Sequence, residues 1–286
     1  MKSPAVVFAV VAVQFSLLLA AAAAERNARE VRKYCRFQAG ATIAYGLVEG
    51  DRVRQIDGDL FGARRPAAKT FPLSEVKLLV PTQPSKILAL AGNYMSHLDG
   101  QAPRKNPELF FKVPSCLIPC GATVVIPPGT KIVHPEGEMV IVIGRRASKV
   151  SVAAAWACVL GVTCGNDISA RDWQKGDVKW WRAKGSDTFG PCGPFVAVGI
   201  NYDDLLLQTR VNGQIRQQQR TKDLIHNVAE IVSFASQHVT LEPGDLIYSG
   251  TPGKTDEIRP GDVVEVELEG VGLLRNPVAA EPARGR

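Results

Sequence analysis

The chain has 286 residues, 45% of them hydrophobic and 22% charged, and carries a formal net charge of +6. That length buries a sizeable core as one large domain, with or without a small companion, and the composition is that of an ordinary globular protein rather than a fibrous or disordered one. The positive excess is mild and comes with no zinc-ligand spacing and no basic run interleaved with aromatics, which argues against a nucleic-acid partner and fits anionic small molecules.

Residues 1–24 carry Lys2 near their start, continue through AVVFAVVAVQFSLLLAAAAA and end just before Glu25. A basic start, an apolar middle and a small-residue end predict a cleaved export signal, and so a periplasmic or secreted protein. An uncleaved anchor of near-spanning length and a mis-assigned start codon, which would leave the protein cytoplasmic, are the alternatives. Residues 25–81 predict a small β-domain and linker. YCRFQ, TIAYGLVEG and DRVRQIDG read as strands punctuated by Gly40, Gly50 and Gly58, and the proline-rich ARRPAAKTFPLSEVKLLVPTQPSK reads as a connector.

Residues 82–278 predict the larger, catalytic domain, and 279–286 a tail. KILALA reads as a buried strand ending in a Gly-Asn turn, ELFFKVPSCLI as an extended segment, and MVIVIG as a fully apolar strand. SVAAAWACVLG reads as the clearest helix, capped by Ser151 and stopped at Gly161. In GVTCGNDIS, Val162 and Cys164 share one face while Thr163, Gly165 and Asp167 share the other. Residues 171–194 are polar, aromatic and without a period, which in a compact chain marks a functional segment. LLQTRVNGQIRQQQ reads as a hairpin turning at Asn212-Gly213, VAEIVSFASQHV as a helix, and GDLIYSGTPG and GDVVEVELEGVGLL as closing strands. Many strands and few helices make a β-rich α+β architecture. Of the six cysteines, Cys158 and Cys164 lie in apolar segments and read as buried thiols; Cys116 and Cys120 are the one local pair to check for a bridge.

Glu136 and Glu138 carry the first chemical signal. In a strand, side chains two apart point to the same face, with Cα atoms ~6.5–7 Å apart. Two like charges so placed either face water or converge on a divalent cation. Asp167, at the end of its own strand, favours the cation, and an oxygen-only donor set means Mg²⁺ or Mn²⁺, with Ca²⁺ also admissible, rather than zinc. Lys184, among Trp180, Trp181 and Phe189, reads as a surface lysine or as a partner of that acidic cage. His97, after the KILALA strand, reads as structural or as a general base. The turn SGTPG offers backbone N–H groups and Thr251 to a carboxylate, or is simply a turn.

Taken together, GNYMSH, PELFFKVPS, HPEGEMVIVIGR, GVTCGNDISARDWQ, WWRAKGSDTFGPCGP, VNGQIRQ and LEPGDLIYSGTPG resemble the fumarylacetoacetate hydrolase family, over roughly residues 82–278. The resemblance implies a mixed β-roll with a small N-terminal β-domain, a homodimer, and one Mg²⁺ or Mn²⁺ held by Glu136, Glu138 and Asp167. It implies catalytic roles for His97, Lys184 and Arg171, and substrate contacts for Tyr94, Gln174 and Thr251. One position departs from the pattern. Hydrolytic members of the family show His-x-x-Glu, and here Gly100 stands where that Glu would be, with Asp99 one residue early. The expected activity is metal-dependent hydrolysis of a C–C bond in an acylpyruvate-like 2-oxo acid. Isomerisation or decarboxylation of a 2-hydroxy-dienoate or 2-oxo diacid is the alternative that the missing Glu favours. A reading of another class is an exported protein that binds a 2-oxo acid without turning it over.

Overall fold

The computed structural model describes residues 30–282; the expected export signal over 1–24 lies outside the described residues. Four strands open the chain as an antiparallel meander: β1 (Arg32–Ala39), β2 (Thr42–Glu49), β3 (Arg52–Gly58) and β4 (Arg64–Pro72). β5 (Lys77–Leu79) then returns to pair with β1. The stretch expected to be a proline-rich connector therefore contains two strands. β4 tolerates Pro66 and Pro72 because it is the outermost strand of its sheet, where a missing N–H costs no ladder bond. Small cores of its own lie under this meander, around Phe37 and Val53 and around Tyr34, Ile56 and Leu60.

The larger part begins with β6 (Ile87–Ala91) and β7 (Glu108–Lys112), followed by the short β8 (Leu117–Ile118), β9 (Val124–Ile126) and β10 (Val133–His134). β11 (Gly137–Ile143) is buried at every residue. The helix expected from Ser151 to Gly161 is only one turn, α1 (Val152–Ala155), capped as foreseen by the Ser151 hydroxyl accepting from the Ala154 N–H. A 3₁₀ turn follows, and β12 (Val159–Asn166) starts before Gly161, because Val159–Gly161 pair with Val142 and Ile143 of β11. Tertiary pairing there outweighs the helix preference of the alanines, which is a weak local bias. The aperiodic segment resolves into β13 (Ser169–Ala170), the short helices α2 (Arg171–Gly176) and α3 (Trp181–Gly185), and then β14 (Gly190–Val198).

The expected hairpin is β15 (Leu206–Val211) and β16 (Gln214–Arg220), with Asn212 at φ 53° and Gly213 at φ 78° supplying the two left-handed residues that a tight hairpin turn needs. α2 and α3 are followed by α4 (Val228–His238), which opens on a capping box between Asn227 and Glu230. β17 (Leu246–Tyr248), β18 (Val263–Leu268) and β19 (Gly272–Ala280) close the chain. β19 runs two residues past 278 and pairs in parallel with β9, so the segment expected as a tail begins inside a strand.

One large sheet runs in the order β4-β3-β2-β1-β14-β12-β11-β17-β6-β7, the N-terminal meander joining the rest through β1 and β14. A second sheet, β16-β15-β18-β19-β9, packs across β11, β12 and β14. The main core lies between them and α4, with Met139, Ile141, Ile143, Val162, Leu207 and Val266 among its members. Each fully buried aliphatic of this kind contributes about 1.5–3 kcal/mol. The β-rich α+β expectation holds. All six cysteines are free and five are buried, including Cys116. No helix among the described residues is long and apolar enough to cross a membrane.

Candidate active site

The strand order brings four chain segments to one end of the large sheet. β11 and β12 are antiparallel, with Gly137 opposite Asn166 and Glu138 opposite Gly165, and the Asp167 N–H donates to the Glu136 carbonyl at 2.8 Å. The start of one strand and the end of the other therefore hold the three acids together. β17 pairs with the other side of β11 and β6 runs parallel to β17, so SGTPG and the GNYMSH turn arrive at the same end. Asn93 ties these turns, donating to the carbonyls of Ser249 at 2.8 Å and His226 at 3.1 Å.

Alternation along β11 separates chemistry from core. Glu136 and Glu138 face one way, while Gly137 between them faces the second sheet, where a β-carbon would sit 1.9 Å from the Thr209 hydroxyl. Any larger residue there would push the two sheets apart. The Glu-Gly-Glu spacing thus has a packing cause as well as a chemical one.

Glu136, Glu138 and Asp167 are buried and can each offer an oxygen within 4.8 Å of the others'. Lys184 Nζ bridges Glu136 at 2.6 Å and Asp167 at 2.7 Å, and Arg171 Nη2 reaches Glu136 at 2.6 Å. Burial pushes the Glu136 carboxyl up, but Lys184, Arg171 and His97 outweigh it and hold the group below its ordinary value. Burial likewise favours a neutral Lys184, and the charges of Asp167 and Glu136 override it and keep its ammonium protonated. Glu138 stands in the opposite condition. It accepts one N–H, from Gly250 at 2.6 Å, while its Oε1 is buried without a partner. Burial and the charges of Asp167 and Glu136 push its carboxyl well above the ordinary range. A buried oxygen with no donor, in a hard three-carboxylate set, is what a divalent ion such as Mg²⁺ or Mn²⁺ satisfies. The residues present fit such an ion, and these three would hold it.

His97 lies beside this cage. Its Nδ1 is 2.5 Å from the Gly253 carbonyl, and its Nε2 is 3.8 Å from Glu136 Oε1. A carbonyl only accepts, so Nδ1 carries the proton, and in the neutral ring Nε2 presents a lone pair toward the cage. Arg171 also holds Gln174 at 2.9 Å. Thr251 donates to the Gly137 carbonyl and accepts from Gln217, each at 2.8 Å. His97, Glu136, Arg171, Gln174, Lys184 and Thr251 line a cavity of about 50 Å³. Glu138 and Asp167 are not part of its lining; Asp167 is tied to it through Lys184. Tyr94 is not among its lining residues: its ring is fully buried and its hydroxyl has no hydrogen-bond partner. Burial and the nearby Glu138 charge raise that hydroxyl's pKa.

A larger cavity of about 790 Å³ lies between Leu60–Arg64, Trp156–Leu160 and Val198–Tyr202. No carboxylate, histidine or cysteine lines it, whereas the smaller cavity is lined by His97, Glu136, Arg171 and Lys184.

Two polar residues of the site had no assigned role from sequence. Lys112 is buried, with Nζ 2.6 Å from Asp167 Oδ1 and donating to the carbonyls of Lys184 and Phe189. Its signal was present: in ELFFK, Lys112 shares a strand face with Phe110, and a lysine on an inward face needs a buried acid. Gln217, on the inward face of β16, accepts from the Gly137 N–H at 3.2 Å and donates to Thr251 and to the Pro252 carbonyl at 2.6 Å.

Comparison with known proteins finds relatives in both sequence and fold. Residues 86–279 match the family described as fumarylacetoacetate (FAA) hydrolase, C-terminal, and residues 32–81 match the family described as Rv2993c-like, N-terminal. The chain is 36% identical over 233 residues to the rat mitochondrial oxaloacetate tautomerase Fahd2a, covering 76% of this chain and 74% of that protein. The crystal structure of 2-hydroxyhepta-2,4-diene-1,7-dioate isomerase from Mycobacterium marinum superposes with a TM-score of 0.83 at 38% identity, over 88% of this chain and 99% of that one. The maleylpyruvate hydrolase of Sphingobium sp. SYK-6, solved in complex with manganese(II) and pyruvate, gives a TM-score of 0.72 at 29% identity, over 87% of this chain and 99% of that one.

Proposed function

This chain belongs to the fumarylacetoacetate hydrolase family, and from that premise we propose that it catalyses metal-dependent proton transfer next to the keto group of a 2-oxo acid, as in tautomerisation, isomerisation or decarboxylation. The observation that carries this reading is the setting of His97. Its Nδ1–H is held by a neutral carbonyl, that of Gly253. Gly100, where a water-activating Glu would stand, has no side chain and holds φ 84°, a conformation a glutamate adopts only under strain. Asp99 is exposed and turns toward Lys254 at 3.7 Å. No carboxylate therefore holds the Nδ1 side of the imidazole, which leaves it suited to moving a carbon-bound proton rather than to driving water onto a carbonyl.

In this mechanism, His97 Nε2 takes the proton from the carbon beside the keto group and returns it to the product. Lys184 and Arg171 hold positive charge against the anion that forms. Gln174 and Thr251 orient the substrate's carboxylate end, and Phe110 and Trp180 keep water out. A divalent ion held by Glu136, Glu138 and Asp167, of the kind the Sphingobium structure contains, would supply Lewis-acid stabilisation of charge on the keto oxygen.

Hydrolysis of a C–C bond in an acylpyruvate is the second reading, favoured by the solved maleylpyruvate hydrolase of the same fold. The two separate in one experiment. The protein is incubated with Mg²⁺ and pyruvate in D₂O, and exchange of the C3 protons is followed by NMR; a parallel arm uses an acylpyruvate in H₂¹⁸O, and EDTA is the control. EDTA-sensitive exchange with the acylpyruvate left uncleaved supports proton transfer. Cleavage with ¹⁸O in the carboxylate of the released acid establishes the hydrolase instead. Metal-dependent binding of pyruvate with neither outcome makes the protein a binder.

A further inference from the structure

We propose that Trp180 and Phe110 set the length of the acid this site accepts, restricting it to short-chain 2-oxo acids and excluding those with aryl or long alkyl tails. The inference rests on the 2-oxo acid reading above and goes beyond it by naming the class within that chemistry.

Trp180 has φ 54° and ψ 9°, in the left-handed region. A large aromatic residue is among the least suited to that backbone, and glycine or asparagine would take it with little or no strain. The local fold uses only the Trp180 main chain, whose carbonyl accepts from the Lys184 N–H at 2.9 Å and so starts the turn that delivers Lys184. The indole itself is spent on the pocket. It meets Phe110 edge to face, with ring centroids 5.6 Å apart at 77°, and the Lys184 ammonium lies 5.5 Å from the Phe110 centroid. Both rings line the cavity that also holds His97, Arg171 and Lys184.

The polar part of that lining provides for a carboxylate and a keto group. The two rings take up the rest, and the cavity of about 50 Å³ is well below the roughly 300–1,000 Å³ of an ordinary small-ligand pocket. Little room is left beyond the reacting carbon. A tail of several methylenes or a phenyl ring would have to displace the indole.

The test replaces Trp180 by glycine, which removes the ring and suits the left-handed backbone that holds Lys184. C3 proton exchange in D₂O with Mg²⁺ is measured for pyruvate and for 2-oxooctanoate, in the wild type, in Trp180→Gly and in Phe110→Ala. The ratio of kcat/KM for the long acid to that for pyruvate is expected to rise about tenfold or more in either variant, the scale on which pocket shape discriminates apolar groups. An unchanged ratio in both overturns the proposal. So does a wild-type protein that exchanges the long acid as well as pyruvate, or whose pyruvate exchange the long acid inhibits competitively; these two measurements need no variant to fold. Glu138→Gln runs alongside. If it exchanges pyruvate at the wild-type rate, the underlying reading fails; if it is inactive while the ratio stays fixed, only the role of the two rings fails.

Discussion

Replacing Lys112 by methionine keeps the length and volume of the side chain and removes one charge and its donors. The ammonium is fully buried, 2.6 Å from Asp167 Oδ1, and also donates to the carbonyls of Lys184 and Phe189. Not all of this is lost without replacement. Asp167 Oδ2 keeps Lys184 at 2.7 Å, and the Phe189 carbonyl keeps the Ile168 N–H at 3.2 Å. Asp167 Oδ1, itself buried, loses its charged donor. Breaking one side of a buried ion pair costs about 3–5 kcal/mol, which in a domain of this size lowers Tm by about 6–20 °C. The assay is thermal and urea unfolding of the metal-free protein at pH 7, with Asp167→Asn and the double variant completing a cycle. The double variant should be less destabilised than the sum of the singles by about 0.5–3 kcal/mol. A Lys112→Met protein melting within about 2 °C of the wild type, a shift worth roughly 1 kcal/mol or less, would refute the claim that Lys112 holds Asp167 in place.

The other predictions concern the cage and the thiols. Glu138→Gln keeps the acceptor for the Gly250 N–H and removes a carboxylate that burial, Asp167 and Glu136 push well above its ordinary pKa. Metal-free protein should therefore melt no lower than the wild type, while the rise in Tm on adding Mn²⁺, and the electron paramagnetic resonance signal of bound Mn²⁺, should both be lost. Burial pushes the Cys35 and Cys164 thiols up from 9.0 to about 12. A folded-state pKa above the unfolded one gives stability that is complete below pH 9.0 and is lost as pH rises toward about 12. Alkaline unfolding followed by tryptophan fluorescence should show that decline, and Cys35→Ala should flatten it. At pH 8 the half-buried Cys120 should react with a thiol reagent first, and Cys35 and Cys164 only after unfolding.

What was readable along the chain was whatever depends on neighbours two to four residues apart. The apolar run of β11, the Asn212-Gly213 turn, the helix over VAEIVSFASQHV and the parallel aim of Glu136 and Glu138 all follow from local turn chemistry and from strand and helix periods. Where propensity competed with pairing, pairing won: the alanines of 153–155 make one turn before Val159 joins β11, and the prolines of β4 sit in an edge strand. A strand partner far away in sequence supplies more hydrogen bonds than a local bias can offset.

The three carboxylates that could serve a hard cation were therefore already visible in the sequence. Their arrangement was a matter of tertiary structure. Only the antiparallel register of β11 and β12 sets Asp167 beside Glu136. Only the β11-β17-β6 order delivers the Gly250 N–H to Glu138 and the Gly253 carbonyl to His97, and only the fold at the sheet edge places Lys112 under Asp167 and Trp180 against Phe110. Those contacts join residues tens to more than a hundred positions apart, held by main-chain ladders and buried charge, and no local period encodes them.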